Sequence, residues 1–333
     1  MSPLPTQKPI GILGLGVAYP DGILSNADLE KLVDTTDEWI FGRTGIRERR
    51  ILAPHERPSD FAFLAAQRAF ADSGVDKSTI DGVVYCSYTQ EHIMPPASGL
   101  LHGMLDLPGK CMTFDLNAAC TGFVTGLQTA YALIRAGICH RILLFGVDCN
   151  SRMIDYTDRS TCILFGDGAG AVIVGEVPEG RGLLGFHAGA DGHGAQMITA
   201  CAGAGYYHPD VKVIDKGDRF IKMNGREVYK FAVVKLSEAV EAALVNAGMT
   251  IDQVDLLVPH QANQRIIDSA IHRFGFAPEK AVQNMVSFGN TSAASIPLAL
   301  NTAREDGRLK PGTTCALVAF GAGLTYAAAI IKW

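Results

Sequence analysis

Cys120 lies in the sequence DLNAACTGF, where a segment typical of a strand gives way to a segment typical of a helix. A helix amino terminus carries partial positive charge and unpaired N–H groups, and both favour a thiolate over a thiol. Most free cysteines in folded proteins are nevertheless buried and unreactive. Taken alone, Cys120 is therefore either a nucleophile or a small core residue.

Two further side chains have types and positions that suit chemistry. His260 follows the apolar segment VDLLV and Pro259, at the carboxyl end of a predicted strand, where α/β proteins build their sites. Asn290 lies among small residues in SFGNTSAAS. A lone histidine is more often structural than catalytic, and an asparagine in such a setting is often a helix cap or a turn residue. Each of these two residues indicates an active site only if a second functional side chain lies beside it.

The elements that position these residues follow an α/β rhythm. Apolar segments such as DGVVYCSY and RILLFGVD alternate with alanine-rich helical segments such as AACTGFVTGLQTAYALIRAG. Three segments also recur in the same order at offsets of 174, 170 and 175 residues. The matched positions are Gly74 and Asp81 with Gly248 and Asp255; Cys120, Thr121 and Gly137 with Asn290, Thr291 and Gly307; and Phe145 and Gly146 with Phe320 and Gly321.

This repeat predicts two similar halves, residues 1–175 and 176–333, packed together without a flexible linker. It places Cys120 and Asn290 at equivalent helix starts and His260 at a strand end in the second half. A thiol, an imidazole and a carboxamide are thus expected to meet where the halves join.

Composition narrows the class of protein. The 333 residues are 48% hydrophobic and carry a formal net charge of −5, which argues against a general nucleic-acid binder. No apolar run approaches the roughly 20 residues of a membrane helix, and MSPLPTQKPIGI does not read as a secretory signal. The eight cysteines form no C-x-x-C pair, so we expect no metal site and no disulfide framework. These features favour a cytoplasmic protein.

Six segments together resemble one enzyme family. They are TDEWIFGRTGIRERR, AACTGF, TDRSTCILFGDGAGA, VPHQANQRI, GNTSAAS and AFGAGL, and they span nearly the whole chain. The chain resembles the β-ketoacyl-acyl carrier protein synthase III enzymes of the thiolase-like superfamily. The resemblance implies a five-layered αβαβα fold with mixed sheets, a homodimer, and a catalytic triad of Cys120, His260 and Asn290.

The resemblance also implies a mechanism. Cys120 attacks an acyl-CoA thioester, and the backbone N–H groups of Cys120 and Ala322 form the oxyanion hole. Malonyl-acyl carrier protein then loses CO₂, and neutral His260 and Asn290 stabilise the enolate that attacks the acyl group. CoA thioesters are substrates here, so no cofactor is expected.

Binding residues are carried over from the same family. Trp39 and Arg159 are expected to sandwich the CoA adenine, Arg43 to lie near the phosphates, and Asn263 to line the pantetheine tunnel. The acidic carrier protein needs a basic patch, which maps onto Lys230, Arg265 and Arg273. Met94 maps near the position from which the partner subunit closes the acyl pocket. Because methionine is flexible, we expect primers longer or more branched than acetyl.

Several alternatives stay open. A related ketosynthase or acyltransferase of secondary metabolism, including one that acylates oxygen or nitrogen without condensation, shares these motifs. A non-catalytic acyl-CoA-binding protein would lack acylation at Cys120, although the complete triad argues against it. The segments GILGLG and FGDGAGA suggest an NAD oxidoreductase only weakly, because neither lies between a strand and a helix. A thiolase would need a second active-site cysteine near the carboxyl end, and AFGAGL offers none.

Overall fold

The computed structural model describes residues 8–201 and 217–333. The expectation about a secretory signal therefore rests largely on residues outside the described part. The strands are β1 (Ile10–Ala18), β2 (Ile23–Ser25), β3 (Glu48–Arg50), β4 (Gly82–Cys86), β5 (Met112–Leu116), β6 (Ile142–Cys149), β7 (Asp167–Glu176), β8 (Gly182–Ala190), β9 (Ile198–Thr199), β10 (Lys222–Met223), β11 (Leu256–Pro259), β12 (Thr314–Gly321) and β13 (Thr325–Lys332). The α-helices are α1 (Asn26–Leu29), α2 (Asp37–Thr44), α3 (Pro58–Ser73), α4 (Ala97–Met104), α5 (Gly122–Arg135), α6 (Arg159–Cys162), α7 (Gly225–Ala247), α8 (Gln264–Phe274), α9 (Met285–Phe288) and α10 (Ser295–Glu305).

Two mixed sheets form the frame of the molecule. The first has the strand order β1-β7-β6-β4-β5, and the second has the order β11-β12-β13-β8. In the first sheet β4 is parallel to β5 and β6, and in the second β11 is parallel to β12. The other pairs of these two sheets are antiparallel. Every strand of the first sheet precedes residue 177, and every strand of the second follows residue 181.

The sheets and helices stack in five layers, αβαβα, as the resemblance implied. Helices α3 and α4 cover the outer face of the first sheet, and α7 and α8 cover the outer face of the second. Helices α5 and α10 lie between the two sheets. Because both faces of each sheet are covered, central strands such as β6 and β12 are buried along their whole length.

Side chains of the central strands alternate between two hydrophobic layers, as the two-residue period of a strand requires. In β12, Leu317 and Ala319 face the middle layer, whereas Val318 and Phe320 face the outer layer of α7 and α8. Within residues 8–201 and 217–333, no helix combines the length and apolar composition that crossing a bilayer needs.

The internal repeat has a clear structural counterpart. Gly74 and Gly248 end α3 and α7 in the left-handed conformation, with φ of +64° and +67°. Seven residues later, Asp81 accepts a hydrogen bond from the N–H of Arg141, and Asp255 accepts one from the N–H of Thr314. The same cap and the same carboxylate contact thus recur in both halves.

The expected pairing of Cys120 with Asn290 is wrong by three residues. The side chain of Asn117 accepts a hydrogen bond from the N–H of Ala119, just as the side chain of Asn290 accepts one from the N–H of Ser292. Ala119 and Ser292 both have left-handed φ angles, of +47° and +51°. Asn117 is therefore the counterpart of Asn290. The sequence offset of 170 fits only the helix ends, because α5 has 14 residues and α10 has 11.

Candidate active site

One cavity of about 890 Å³ collects most of the expected site residues. Cys120, His260 and Asn290 all line it, with Cys120 from the first half of the chain and the other two from the second. Much of the remaining wall is apolar and includes Ile163, Phe165, Ile198, Ile221, Val228, Ile266 and Phe320. The thiol, imidazole and carboxamide therefore share one largely apolar cavity.

Cys120 sits in a 3-10 turn, Ala119–Thr121, between β5 and α5. The left-handed φ of Ala119 makes the turn tight, and Gly321 of β12 packs directly against it. The thiol is partly accessible from the cavity but lies deep within the protein. Burial raises the pKa of the Cys120 thiol to about 12. Desolvation therefore opposes the expected effect of a helix start on this thiol, and α5 itself begins only at Gly122.

His260 follows β11, and its backbone N–H donates to the carbonyl of Val318 at 2.7 Å. Its Nδ1 lies 2.6 Å from Oγ of Ser295, the first residue of α10. When the ring hydrogen is on Nε2, the Ser295 hydroxyl donates to Nδ1. Burial lowers the pKa of His260 to about 3. The imidazole is therefore neutral at pH 7 and can donate from Nε2 into the cavity.

Asn290 is fixed by its own backbone and by its side-chain oxygen. Its N–H donates to the carbonyl of Leu164, and its carbonyl accepts from the N–H of Gly166, each at 2.9 Å. Its Oδ1 accepts from the N–H of Ser292 at 2.9 Å. Because Oδ1 is occupied, the Nδ2 amide hydrogens are the part of this side chain that remains for a ligand.

Two backbone N–H groups next to the thiol are available as donors. Among the described residues, neither the N–H of Cys120 nor that of Ala322 donates to a backbone carbonyl. Gly321, which precedes Ala322, lies against the backbone nitrogen of Cys120. Ala322 is not one of the residues with positive φ, so its methyl group causes no backbone strain. Both N–H groups are therefore left for a ligand in the cavity.

Three residues beside the thiol escaped the sequence analysis. Ser292 donates to Cys120 Sγ with an Oγ–Sγ distance of 3.3 Å. The Tyr88 side chain lines the cavity, and its hydroxyl donates to Oδ1 of Asn150. Asp148, at the end of β6, is fully buried behind them. A carboxylate in the otherwise apolar segment ILLFGVDC was the sequence signal that could have identified Asp148.

The cavity mouth carries cationic and aromatic side chains. The guanidinium groups of Arg159 and Arg43 lie 4.9 and 5.6 Å from the centre of the Trp39 ring. Arg159 also donates to the carbonyl of Asp34 at 2.7 Å. Trp39 and Arg43 line the cavity, as does Arg226, which the sequence analysis missed. A planar ring with cations over it suits a flat, negatively charged ligand.

The other expected binding residues divide into two groups. Asn263, Lys230 and Arg265 line the cavity, and Asn263 also caps α8 and donates to the carbonyl of Arg43 at 3.1 Å. Arg273 does not line the cavity and forms a 3.0 Å ion pair with Glu241. Met94 lies outside it as well and is 84% exposed in the single chain. Within residues 8–201 and 217–333, no three His, Cys, Asp or Glu side chains cluster as a metal site would require.

Sequence profiles of one family match two parts of the chain. The profile of 3-oxoacyl-[acyl-carrier-protein] synthase III matches residues 114–192, and the profile of its C-terminal part matches residues 244–333. The β-ketoacyl-[acyl-carrier-protein] synthase III of Symbiobacterium thermophilum is 45% identical over 326 residues, which cover 98% of each chain.

Solved structures agree with these sequence matches. The β-ketoacyl-[acyl carrier protein] synthase III of Thermus thermophilus is 42% identical, with a TM-score of 0.89 over 97% of this chain and 99% of that one. The priming β-ketosynthase of the R1128 polyketide pathway is 36% identical, with a TM-score of 0.90 over 98% of this chain and 97% of that one. The fold and the sequence thus point to the same group of proteins.

Proposed function

The chain belongs to the 3-oxoacyl-[acyl-carrier-protein] synthase III family, and from that premise we propose how its cavity carries out the condensation that initiates fatty acid synthesis. The enzyme joins an acyl-CoA primer to malonyl-acyl carrier protein and releases CoA and CO₂. The observation that carries the proposal is the meeting of Cys120, His260 and Asn290 in one buried cavity with a cationic mouth. The eight cysteines are all free thiols, which suits the reducing cytoplasm.

Acylation begins at Cys120. Its sulfur attacks the thioester carbonyl of the primer, and the developing oxyanion accepts hydrogen bonds from the N–H groups of Cys120 and Ala322. Collapse of the tetrahedral intermediate expels CoA and leaves the primer on sulfur. Because burial raises the pKa of the Cys120 thiol, we expect its proton to leave as the sulfur attacks, and the balanced step releases CoA as its thiol.

Decarboxylation uses the two neutral donors. His260 donates from Nε2 and Asn290 from Nδ2 to the thioester oxygen of the malonyl group, and they stabilise the enolate formed as CO₂ leaves. The enolate carbon attacks the acyl group on Cys120 and releases the β-ketoacyl product. The low pKa of His260, about 3, keeps the imidazole neutral throughout. An imidazolium at this position would instead pair with the departing thiolate.

The cavity mouth is suited to CoA and to a carrier protein. We propose that the adenine enters between Trp39 and Arg159, which now stack on each other, while Arg43 meets the phosphates. Lys230 and Arg265 border the cavity and would steer the acidic carrier protein. Lys230 pairs with Glu227 and Arg273 with Glu241, but Arg273 lies outside the cavity lining, so we expect a smaller contribution from it.

We further propose a homodimer in which Met94 of one subunit closes the acyl pocket of the other. The high exposure of Met94 in the single chain supports this, because a methionine usually gains from being covered. Its flexibility favours primers longer or more branched than acetyl. Equal or better turnover of acetyl-CoA than of branched or longer acyl-CoAs would contradict that preference.

The decisive experiment is intact-protein mass spectrometry with a panel of acyl-CoAs. The wild type should gain one acyl group, located on Cys120 by peptide mapping, and Cys120→Ala should gain none. Adding malonyl-acyl carrier protein should discharge the acyl-enzyme and release CO₂. An acyl group on another cysteine would overturn the proposed nucleophile.

A second candidate is a priming ketosynthase of secondary metabolism, favoured by the similarity to the R1128 enzyme. The same assay separates the two when it is run with carrier proteins of both kinds. Preference for a polyketide carrier protein over a fatty acid carrier protein would favour the second candidate. An acyl-enzyme that never releases CO₂ would instead indicate acyl transfer without condensation.

A further inference from the structure

Asp148 is a buried carboxylate for which the mechanism above has no use. It lies near the carboxyl end of the apolar strand β6 and has no exposed surface. Donors from both halves of the chain hold it, each at 3.0 Å. The hydroxyls of Ser87 and Thr89 and the N–H of Tyr88 converge on Oδ1. The N–H of Ala293, from the second half, donates to Oδ2. Hydrogen bonds of this kind offset the cost of burying the charge.

Asn150 lies two residues further along and reaches the same region of the second half. Its Nδ2 donates to the carbonyl of Asn290 at 3.2 Å and to that of Gly166 at 2.6 Å. Its Oδ1 accepts from the hydroxyl of Tyr88, which fixes the amide with its nitrogen toward those carbonyls. We call residues 290–293 the Asn290 turn. Contacts from the end of β6 therefore hold this turn at both of its ends.

The Asn290 turn has a conformation that needs support from outside. Ser292 adopts a left-handed φ of +51°, which is unfavourable for a residue with a side chain. In that conformation its N–H donates to Oδ1 of Asn290 at 2.9 Å. This hydrogen bond orients the carboxamide and leaves Nδ2 for a ligand. The direction of Nδ2 thus depends on the turn, and the turn is held by β6.

We propose that Asp148 and Asn150 are positioning residues for condensation, which hold the Asn290 turn so that Nδ2 of Asn290 meets the malonyl thioester oxygen. This inference rests on the proposed function. The turn that carries Cys120 has a separate support, because Gly321 of β12 packs against it. Disturbing Asp148 or Asn150 should therefore slow the release of CO₂ much more than the acylation of Cys120.

Asp148→Asn tests the proposal without a change of shape. Asparagine keeps one acceptor oxygen and replaces the other with an NH₂ donor. We expect the remaining oxygen to face the donors of Oδ1, so that the NH₂ group faces the N–H of Ala293. Two donors then oppose each other, and that end of the Asn290 turn is released. Assays at about pH 8 keep the wild-type carboxylate ionised, because burial raises the pKa of Asp148 only to about 6.

The two steps are measured separately in single turnovers. Acylation by an acyl-CoA is followed by rapid-quench peptide mass spectrometry of Cys120, and CO₂ release is followed after malonyl-acyl carrier protein is added to enzyme that is already acylated. Asp148→Asn should lower the rate of CO₂ release by about ten- to hundredfold, as a misplaced active-site group does, and keep acylation within about threefold of the wild type. A loss of the same size in both steps would show a merely structural role and overturn the proposal.

The matched control is Asp81→Asn at the other end of the same strand. The Asp81 carboxylate accepts from the backbone N–H groups of His140 and Arg141, just before β6 begins. The substitution makes the same chemical change away from the Asn290 turn. It should leave the ratio of the two rates as in the wild type. If Asp81→Asn lowered CO₂ release selectively as well, the effect would not belong to the Asn290 turn, and the proposal would be wrong.

A double-mutant cycle tests whether Asp148 acts through Asn290. Asn290→Ala removes the donor, so adding Asp148→Asn to it should lower the rate of CO₂ release by no more than about twofold further. Two independent residues would instead give losses that multiply, and that result would contradict a positioning role.

Hydrogen–deuterium exchange of residues 290–293 gives a readout that does not depend on catalysis. Asp148→Asn should speed exchange there by about tenfold, whereas Asp81→Asn should not. Unchanged exchange in Asp148→Asn would overturn the claim that Asp148 holds the turn. If even the wild-type acyl-enzyme releases no CO₂, the proposed function fails, and this measurement alone decides whether Asp148 holds the turn.

Asn150→Asp carries the test if Asp148→Asn does not fold. One oxygen of the new side chain can still accept from Tyr88, whereas the other faces the carbonyls of Asn290 and Gly166. The same selective loss of CO₂ release is expected. Normal CO₂ release in a folded Asn150→Asp enzyme would overturn the proposal.

Discussion

Gly321→Ala tests how closely β12 fixes the nucleophile. A Cβ at position 321 would lie 2.8 Å from the Cβ of Cys120 and 3.0 Å from its backbone nitrogen. Carbon atoms pack at about 3.5–4.0 Å, so the two backbones have to separate by roughly 1 Å. Both the thiol and one oxyanion-hole N–H belong to Cys120, so the shift displaces both.

A displacement of about 1 Å in an active site can lower the rate by about 10²-fold, which corresponds to about 2.7 kcal/mol of transition-state stabilisation. We expect that loss in the acylation step, with a cost of about 1–3 kcal/mol in the free energy of unfolding from overpacking. Acylation is followed by rapid-quench mass spectrometry, and unfolding by urea titration.

The matched control is Gly103→Ala in α4, where a new Cβ meets no heavy atom within 4 Å. It should leave acylation unchanged and, as a helical position, gain about 0.5–1 kcal/mol of stability. A Gly321→Ala enzyme that folds and acylates at the wild-type rate would refute the reasoning that β12 positions Cys120.

Three further predictions follow from the site. Ser295→Ala removes the hydroxyl that fixes the His260 tautomer, so CO₂ release should fall by about tenfold while acylation stays normal; equal losses in both steps would contradict this. His260→Gln should flatten the pH dependence of the free energy of unfolding below pH 6.5, which urea titrations at several pH values would measure. In the wild type the unfolded imidazole binds a proton below pH 6.5, whereas the folded one does not until about pH 3. The wild type therefore loses at most about 1.4 kcal/mol of stability for each unit by which the pH falls in this range. Trp39→Ala should raise KM for acyl-CoA about two- to fivefold without changing kcat. Phe41 is exposed on the same helix but lies outside the cavity, so Phe41→Ala should leave KM unchanged. If Trp39 does not bind CoA, steady-state kinetics would show an unchanged KM for Trp39→Ala as well.

The sequence predicted the frame of the molecule well because the frame follows local rules. Strand and helix periodicity, the glycines that end α3 and α7, and the repeated aspartates all appear within short windows. The helix starts were matched three residues too far along, because α10 is shorter than α5 and only the helix ends kept the register. No local pattern records the length of the equivalent helix in the other half.

The surroundings of the site depend on contacts that sequence reading cannot supply. Cys120 and Ser292 are 172 residues apart, and Asp148 meets Ala293 across 145 residues. The protonation states also depend on burial by the assembled layers, which opposes the thiolate expected at Cys120. Residue types suggested the chemistry, whereas the packing decides which groups carry protons.

Gly321 of β12 and Gly146 of β6 each pack against a turn from the other half of the chain. Gly321, from the second half, seats the turn of Cys120, and Gly146, from the first, seats the turn of Ala293, whose carbonyl oxygen a Cβ would meet at 2.4 Å. Any drift of one half against the other would therefore disturb both turns together. Natural sequence variation at these contacts between the halves is therefore expected to be coupled. Other variation is expected to accumulate around Trp39 and Met94, where the choice of substrate can change while the chemistry stays intact.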